Sequence, residues 1–251
     1  MTDIVYTVLF GKYENINERP HFDNSTTRYI CFTDDTELRS NSWEIIQCTP
    51  RFPNDPSRSS RYIKMLGHRM LPFHTRSLYI DNSVLLKVDG KIILDSWLVD
   101  AHVAMMKHYR RKSVKAEFFI CSAYSLDKQE VIRDQFNFYK VYYPQILAER
   151  PFWGGMIAKA NSPSADSLME IWQTQYDLFS RRDQLSINVS SFISGIPIKM
   201  IEGENDSSPW HAWPIQLDRK IEMRDVYAKS RFRKARILRT ALTQGLRYYL
   251  P

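Results

Sequence analysis

The sequence predicts an α/β fold on a mostly parallel sheet, and three observations predict it. Short apolar runs of strand type alternate along the chain with longer stretches of helical period. The early runs are rich in β-branched and aromatic residues without polar alternation, the pattern of strands buried on both faces. They end in Gly, Asp or Pro, which lines up polar termini along one edge of the sheet, where α/β folds bind ligands. With 43% hydrophobic and 25% charged residues, the 251-residue chain has ample material for a core, and wholesale disorder is excluded.

Ile4 to Phe10 is the first strand, ended by Gly11. Tyr29 to Thr33 is the second, ending in Asp34-Asp35, and Trp43 to Cys48 the third, closing on Pro50, Pro53 and Pro56. A helix is expected from Ser57 to Leu71, stopped by Pro72, with Tyr62, Met65, Leu66 and Met70 as its apolar stripe. Arg58, Arg61, Lys64 and His68 recur on another face, either a solvated cationic face or a stripe aimed at phosphates. Ser77-Leu78-Tyr79-Ile80 then delivers Asp81 to a strand end, and a second apolar run covers Val84 to Val88. Asp81-Asn82-Ser83 reads as a polar turn, or as one carboxylate with flanking oxygens able to hold Mg²⁺ or Mn²⁺ against a diphosphate.

Asp95 to Lys107 reads as a helix covering the sheet with Trp97, Leu98, Ala101, Val103 and Met105, and Phe118 to Cys121 as a strand. Ser125 to Tyr142 is helical, with Ile132, Phe136 and Tyr139 on one side and Asp127 and Glu130 at capping-box spacing. Gly154-Gly155 opens a strand, Met156 to Lys159, where missing side chains allow close backbone approach. Pro163 to Phe179 is a helix with Leu168, Ile171 and Trp172 inward. Arg181-Arg182-Asp183-Gln184-Leu185-Ser186 enters another through about Phe192, with Asp183 placed as a cap or as a functional acid. Glu202 to Pro214 is a polar loop carrying Trp210, His211 and Trp213.

Charge divides the chain. From Arg219 onward ten Lys/Arg stand against Glu222 and Asp225, a net of +8, so residues 1–218, with 25 basic and 26 acidic groups, carry −1. This predicts a body, 1–218, and a basic amphipathic helical tail, 219–251, with Ala228, Phe232, Ala235, Leu238, Leu242 and Leu246 at helical period. The tail reads as a helix lying on an anionic membrane surface or as one docked on the body. A nucleic-acid-binding protein using this basic tail is an alternative of a different class. The near-neutral body argues against it, because phosphate binding needs basic groups distributed around a groove, and no nucleic-acid partner is expected. No apolar run approaches the roughly 20 residues of a membrane span, and no signal-peptide pattern opens the sequence. The expected location is the cytoplasm, with peripheral contact at the inner membrane surface through the tail. Cys31, Cys48 and Cys121 lack metal-type spacing and read as reduced.

Dinucleotide, P-loop, nucleophile-elbow and zinc-protease motifs are all missing. Instead, Tyr6-Thr7 with Gly11-Lys12-Tyr13, then Tyr29-Ile30-Cys31-Phe32-Thr33-Asp34, resembles the start of a glycosyltransferase-like family. That family includes plant proteins of pectin and mucilage synthesis and many bacterial members. The likeness continues through Arg58-x-x-Arg61-x-x-Lys64, Ser77 to Asp81, His108-x-x-Arg111, Glu117, Gln135 with Tyr139, Trp172 and Arg182 to Ser186, covering residues 4 to 200 in order. It implies a GT-A-like fold and a nucleotide-sugar donor, uridine-diphosphate-linked by expectation, with Mn²⁺ or Mg²⁺ as cofactor and a glycan or lipid-linked acceptor in surface polysaccharide synthesis. Two departures stand out. Ser83 occupies the third position of the Asp-x-Asp common at the metal site of such enzymes, and Ala116-Glu117 keeps one of two adjacent acids. Some plant members are discussed as sphingolipid hydrolases, so hydrolysis of a glycan or sphingolipid is the alternative reaction.

Glycosyl transfer needs a neutralised diphosphate leaving group and help in deprotonating the acceptor. Asp81 and Asn82 with Arg58, Arg61 and Lys64 are the expected diphosphate site, and Phe10, Gly11, Tyr13 and Asp34 the base and ribose site. For Phe10 and Tyr13, ordinary packing is an equal reading. Asp183 is the first candidate for acceptor activation, followed by Glu117 and His108, with Arg111, Arg182 and Gln184 around the acceptor. His211 stands where GT-A enzymes often place a second metal ligand beside Asp81, an analogy of position.

Overall fold

A computed structural model describes residues 2–23 and 25–214 of the chain. The predicted tail therefore lies outside the described residues. The first strand, β1 (Asp3–Leu9), is buried at every position, as an unbroken β-branched run requires. It lies between β2 (Arg28–Thr33) and β4 (Arg76–Ile80), parallel to both, with β3 (Glu44–Gln47) parallel beyond β2. The sheet continues from β4 through β7 (Phe152–Ala160) and β6 (Val103–Lys107) to β8 (Ile198–Ile201). Only β7 is antiparallel to its neighbours, so six of seven strands run one way. The expected α/β class, a mostly parallel sheet flanked by helices, is observed.

Alternate residues of β1 feed two cores. Ile4, Tyr6 and Val8 face α1 (Pro56–Leu66) and α5 (Pro163–Leu178), meeting Ile63, Met65, Leu168 and Trp172. Val5 and Leu9 face the opposite side, where α2 (Gly90–Trp97) brings Ile93, Leu94 and Trp97. A third cluster joins α3 (Val114–Ala123), α4 (Gln129–Tyr142) and α6 (Ile187–Ser194) through Val114, Phe118, Tyr139 and Val189. A two-stranded pair, β5 (Leu85–Leu86) with β9 (His211–Ala212), ties the late polar loop to the chain after β4.

Four sequence expectations are corrected. The helix read over Asp95–Lys107 ends at Trp97; the chain turns through Asp100, whose φ is 55°, and Val103–Lys107 is β6. Its residues divide between the two cores, Val103 and Met105 on one face, Ala104 and Met106 on the other. Only a strand can bury neighbours on opposite sides in this way. Phe118–Cys121 belongs to α3, nucleated by Ser113, whose hydroxyl accepts the Ala116 N–H at 3.1 Å. The capping box at Asp127 and Glu130 does not form: α4 starts at Gln129, and Asp127 accepts from the Ser180 hydroxyl and the Arg181 N–H, both at 2.8 Å. The first helix stops at Leu66 and continues as a 3₁₀ turn, Gly67–Met70, which leaves Met70 exposed outside the expected stripe.

Candidate functional site

The ends of β1, β2 and β4 open on one edge, and the loops after them wall a cleft lined by Tyr13, Glu14, Ser60, Arg61, Tyr79, Asp81, Asn82 and Ser83. A smaller hollow beside it shares Tyr13 and Glu14 and adds Phe10, Lys12, Thr33 and Asp35. The loop after β1 is held by Gly11, at φ +80°, where a Cβ would come within 2.8 Å of Pro56. The Gly11 N–H donates to both oxygens of Asp34, at 3.0 and 3.2 Å. Asp34 therefore organises this loop, while Asp35, 2.8 Å from the Lys12 ammonium, is the acid that lines the hollow.

Asp81-Asn82-Ser83 is both a turn and a cleft wall. The Val84 N–H donates to the Asp81 carbonyl at 2.8 Å, closing the turn. Asn82 ties down the chain after β1, accepting the Asn17 N–H and donating to the Asn15 carbonyl, each at 2.8 Å. The Ser83 hydroxyl accepts from the indole of Trp213 at 3.1 Å. Asp81 Oδ1 takes the Tyr79 hydroxyl at 2.8 Å.

The cationic stripe of α1 divides. Arg58 pairs back to Asp55, the helix cap, at 3.8 Å and stays off the cleft. Arg61 and Lys64 turn inward, and the Lys64 side chain is only 2% exposed. Its ammonium lies 2.6 Å from Asp183 Oδ2 and 3.7 Å from Asp81 Oδ1, bridging two carboxylates brought from distant parts of the chain. Arg61 Nε reaches the same Asp183 oxygen at 3.2 Å. Gly154 leaves room for this: a Cβ there would sit 2.8 Å from Lys64 Nζ. Arg61 Nε and Asp183 Oδ2 are buried without an aligned hydrogen-bond partner among the described residues, so their pairing is electrostatic and leaves directional capacity unused.

Asp183 opens a 3₁₀ turn, Asp183–Leu185, and its carbonyl accepts the Trp172 indole N–H at 3.0 Å. Gln135 and Tyr139 support the approach to that turn: the Gln135 side chain accepts the Ser180 N–H at 3.3 Å and donates to the Tyr139 hydroxyl at 3.2 Å. Burial would raise the Asp183 pKa, but the charges of Lys64, Arg61 and Arg182 outweigh it and hold the carboxyl well below its ordinary range. A carboxylate so stabilised is a weak proton acceptor and a strong fixed negative charge.

The remaining candidates sit apart from the cleft. Glu117 is buried, with Arg111 Nε 2.8 Å from one oxygen and Cys121 Sγ 3.5 Å from the other. His108 is pushed down to about 4 by burial. Arg182 lies between this group and Asp183 and feels the charges of both Asp183 and Glu117. Gln184 donates its side-chain amide to the Phe152 carbonyl at 3.4 Å. His211 is fully buried and stacks on Trp153; its two ring nitrogens meet Ser208 Oγ at 2.7 Å and the Asn205 carbonyl at 2.8 Å.

These surroundings do not fit a bound divalent ion. His211 has both nitrogens engaged, Ser83 serves Trp213, and Asp81 faces an ammonium and a phenol. No group of three or more His, Cys, Asp or Glu side chains converges in metal-binding fashion among the described residues. Sequence reasoning missed Glu14, Ser60, Tyr79 and Gly154 as parts of the site. Tyr79 was legible only as a strand residue, because its hydroxyl acquires a role only when Asp81 folds back beside it.

A model of the TOD1/MUCI70 glycosyltransferase-like domain matches residues 2–194. A curated relative, the "Probable hexosyltransferase MUCI70" of Arabidopsis thaliana, is 25% identical over 210 residues, 74% of this chain and 36% of that protein. The chain thus spans about a third of the length of this relative. Among solved structures, apo mouse xyloside xylosyltransferase 1 aligns with a TM-score of 0.43 at 10% identity, over 80% of this chain and 84% of that one. That likeness is too loose to carry detail.

Proposed function

The chain belongs to the TOD1/MUCI70 glycosyltransferase-like family, and from that premise we propose that it moves a hexosyl group from a nucleoside-diphosphate sugar to a hydroxyl of a glycan or lipid-linked acceptor. One observation carries the reading: Arg61, Lys64, Asp81 and Asp183 converge at the edge where the parallel strands end, beside a small hollow lined by Phe10, Tyr13, Thr33 and Asp35. Phe10, Tyr13 and the loop after β2 hold the base and ribose, uridine being the base expected. Arg61 and Lys64 face the diphosphate.

In the reaction the bond between the anomeric carbon and the diphosphate oxygen breaks, and its electron pair stays on that oxygen. The acceptor oxygen bonds to the anomeric carbon and releases its proton to solvent. Positive charge at the breaking centre is stabilised by the fixed carboxylate of Asp183, and negative charge on the leaving group by the two cations. The basic segment after Asp218 brings the protein to an anionic membrane surface, where lipid-linked acceptors reside.

A ligand that binds only the folded state raises its melting temperature. Screening uridine, guanosine, adenosine and cytidine diphosphates and their hexose conjugates by thermal shift is expected to give a rise of several degrees for the uridine series. No shift from any nucleoside diphosphate, with or without Mn²⁺, would remove the transferase reading.

A further inference from the structure

We propose that Lys64 is a built-in cation that takes the place of a divalent metal, so that this protein binds and releases its nucleoside diphosphate without one. The inference rests on the transferase reading and deepens it. Neutralising a departing diphosphate needs positive charge held at the strand edge beside Asp81, and in this chain a side chain brings it there.

Three features carry the argument. The Lys64 ammonium stands between the two site carboxylates, 2.6 Å from Asp183 and 3.7 Å from Asp81. A metal at that point would meet an ammonium in contact with both of its anionic ligands. Second, the position is built for the lysine. The backbone of β7 passes with Gly154, whose absent side chain leaves the ammonium its space. The Lys64 carbonyl is clamped by the Tyr6 hydroxyl at 3.1 Å and by the Lys159 ammonium at 3.3 Å. Third, the side chains that would complete a metal sphere have other work: His211 and Ser83 serve the fold, and Tyr79 donates to Asp81.

An ammonium carries three donors, and the two carboxylates engage at most two of them. At least one N–H is left for a phosphate oxygen, beside an Arg61 guanidinium whose Nε has no aligned partner among the described residues. Together they supply two positive charges, the same number as a divalent ion, at fixed positions and with no dependence on metal supply.

The test uses the full chain, stripped with a chelator, and uridine diphosphate as probe. Isothermal titration is expected to give the same Kd within twofold in EDTA and in millimolar Mn²⁺. Electron paramagnetic resonance of Mn²⁺ is expected to show no more bound metal with protein plus nucleotide than with nucleotide alone. Lys64→Met should weaken binding tenfold or more in EDTA, while Lys64→Arg keeps most of it. The wild-type measurements decide the matter even where Lys64→Met fails to fold. Tenfold or more tightening by Mn²⁺, or a protein-dependent Mn²⁺ site that forms with the nucleotide, overturns the inference and leaves the transferase reading intact. Absence of binding by any nucleoside diphosphate under either condition removes both.

Discussion

Two lysines lie buried in the same half of the molecule, and their surroundings are opposite. Lys64, 2% exposed, faces the carboxylates of Asp81 and Asp183 at the strand edge. Lys159, fully buried near the end of β7, has no carboxylate in contact among the described residues. Its ammonium meets the Tyr6 hydroxyl, the carbonyls of Lys64 and Met65 and the Nδ1 of His68, the last three at 3.3 Å each. Negative charge is one step away, in the 2.6 Å contact between His68 and Asp166. Burial pushes Lys159 down to about 7, Asp166 and Lys64 acting in opposite directions. The difference separates a charge balanced by carboxylates from a charge held among neutral groups. The first is paired with two acids behind the cleft wall; the second grips carbonyls near the end of α1 and so sets where Lys64 stands.

The largest effect that would sharpen this contrast is expected from Asp183→Asn. It leaves Arg61 and Lys64 with one carboxylate instead of two, and breaking a buried pair in this way costs about 3–5 kcal/mol. Transfer should fall to background, and the urea midpoint should drop accordingly. In the double variant Lys64→Met/Asp183→Leu, stability should largely recover while transfer stays lost, because apolar replacement of a whole buried pair is often neutral. Recovery of activity there would mean that the pair is architectural after all. Asp183 also sets an acid limit: its folded value lies below the unfolded one, so its stabilisation is present above about pH 4 and is lost as pH falls toward the folded value.

A smaller effect is expected from Lys159. Its folded value, about 7, lies below the unfolded value near 10.4. Between these the unfolded chain holds a proton that the folded one does not, so stability rises with pH, by up to about 1.4 kcal/mol per unit. Below about pH 7 both forms are protonated and this contribution is flat. The groups facing Lys159 are Tyr6 from β1, Lys64 and His68 from α1 and the turn after it, His74 from the following loop and Asp166 from α5. The Lys159→Met variant should lose this slope between pH 7 and 9 when denaturant midpoints are compared. An identical slope in the two proteins would assign the titration to another group.

The smallest structural cost is expected from Gly154→Ala. The added Cβ meets the terminal atoms of the Lys64 side chain and no backbone, so unfolding free energy should change by about 1 kcal/mol or less. Nucleoside-diphosphate affinity should nevertheless fall about tenfold, since the ammonium is moved from its place. Unchanged affinity would show that the exact position of Lys64 is unimportant.

Much of the site was legible before folding. The i, i+3, i+6 spacing of Arg58, Arg61 and Lys64 puts three cations on adjoining turns of one helix, and Asp81 ends an apolar strand. The two misread segments, Asp95–Lys107 and Phe118–Cys121, are short apolar runs in which helix and strand bury similar residues. Their state depends on whether one face or both are covered, which is a property of the neighbours. Lys159 gave no signal, because a lysine in a strand pattern ordinarily marks a solvated face, whereas β7 lies between β4 and β6 with helices on both sides.

The sequence by itself determined the α/β class, the buried first strand and the residue types able to neutralise a diphosphate. Local propensity and burial periodicity act over a few residues and need no knowledge of the rest. Only the tertiary structure decided that Arg61 and Lys64 turn inward while Arg58 pairs back to its own helix cap, and that Asp183, more than a hundred residues away, becomes their counter-ion. Charge pairing inside a protein depends on separations of a few ångströms. Those separations arise here from the passage of Gly154 beside Lys64 and from the Trp172 indole that anchors the Asp183 turn.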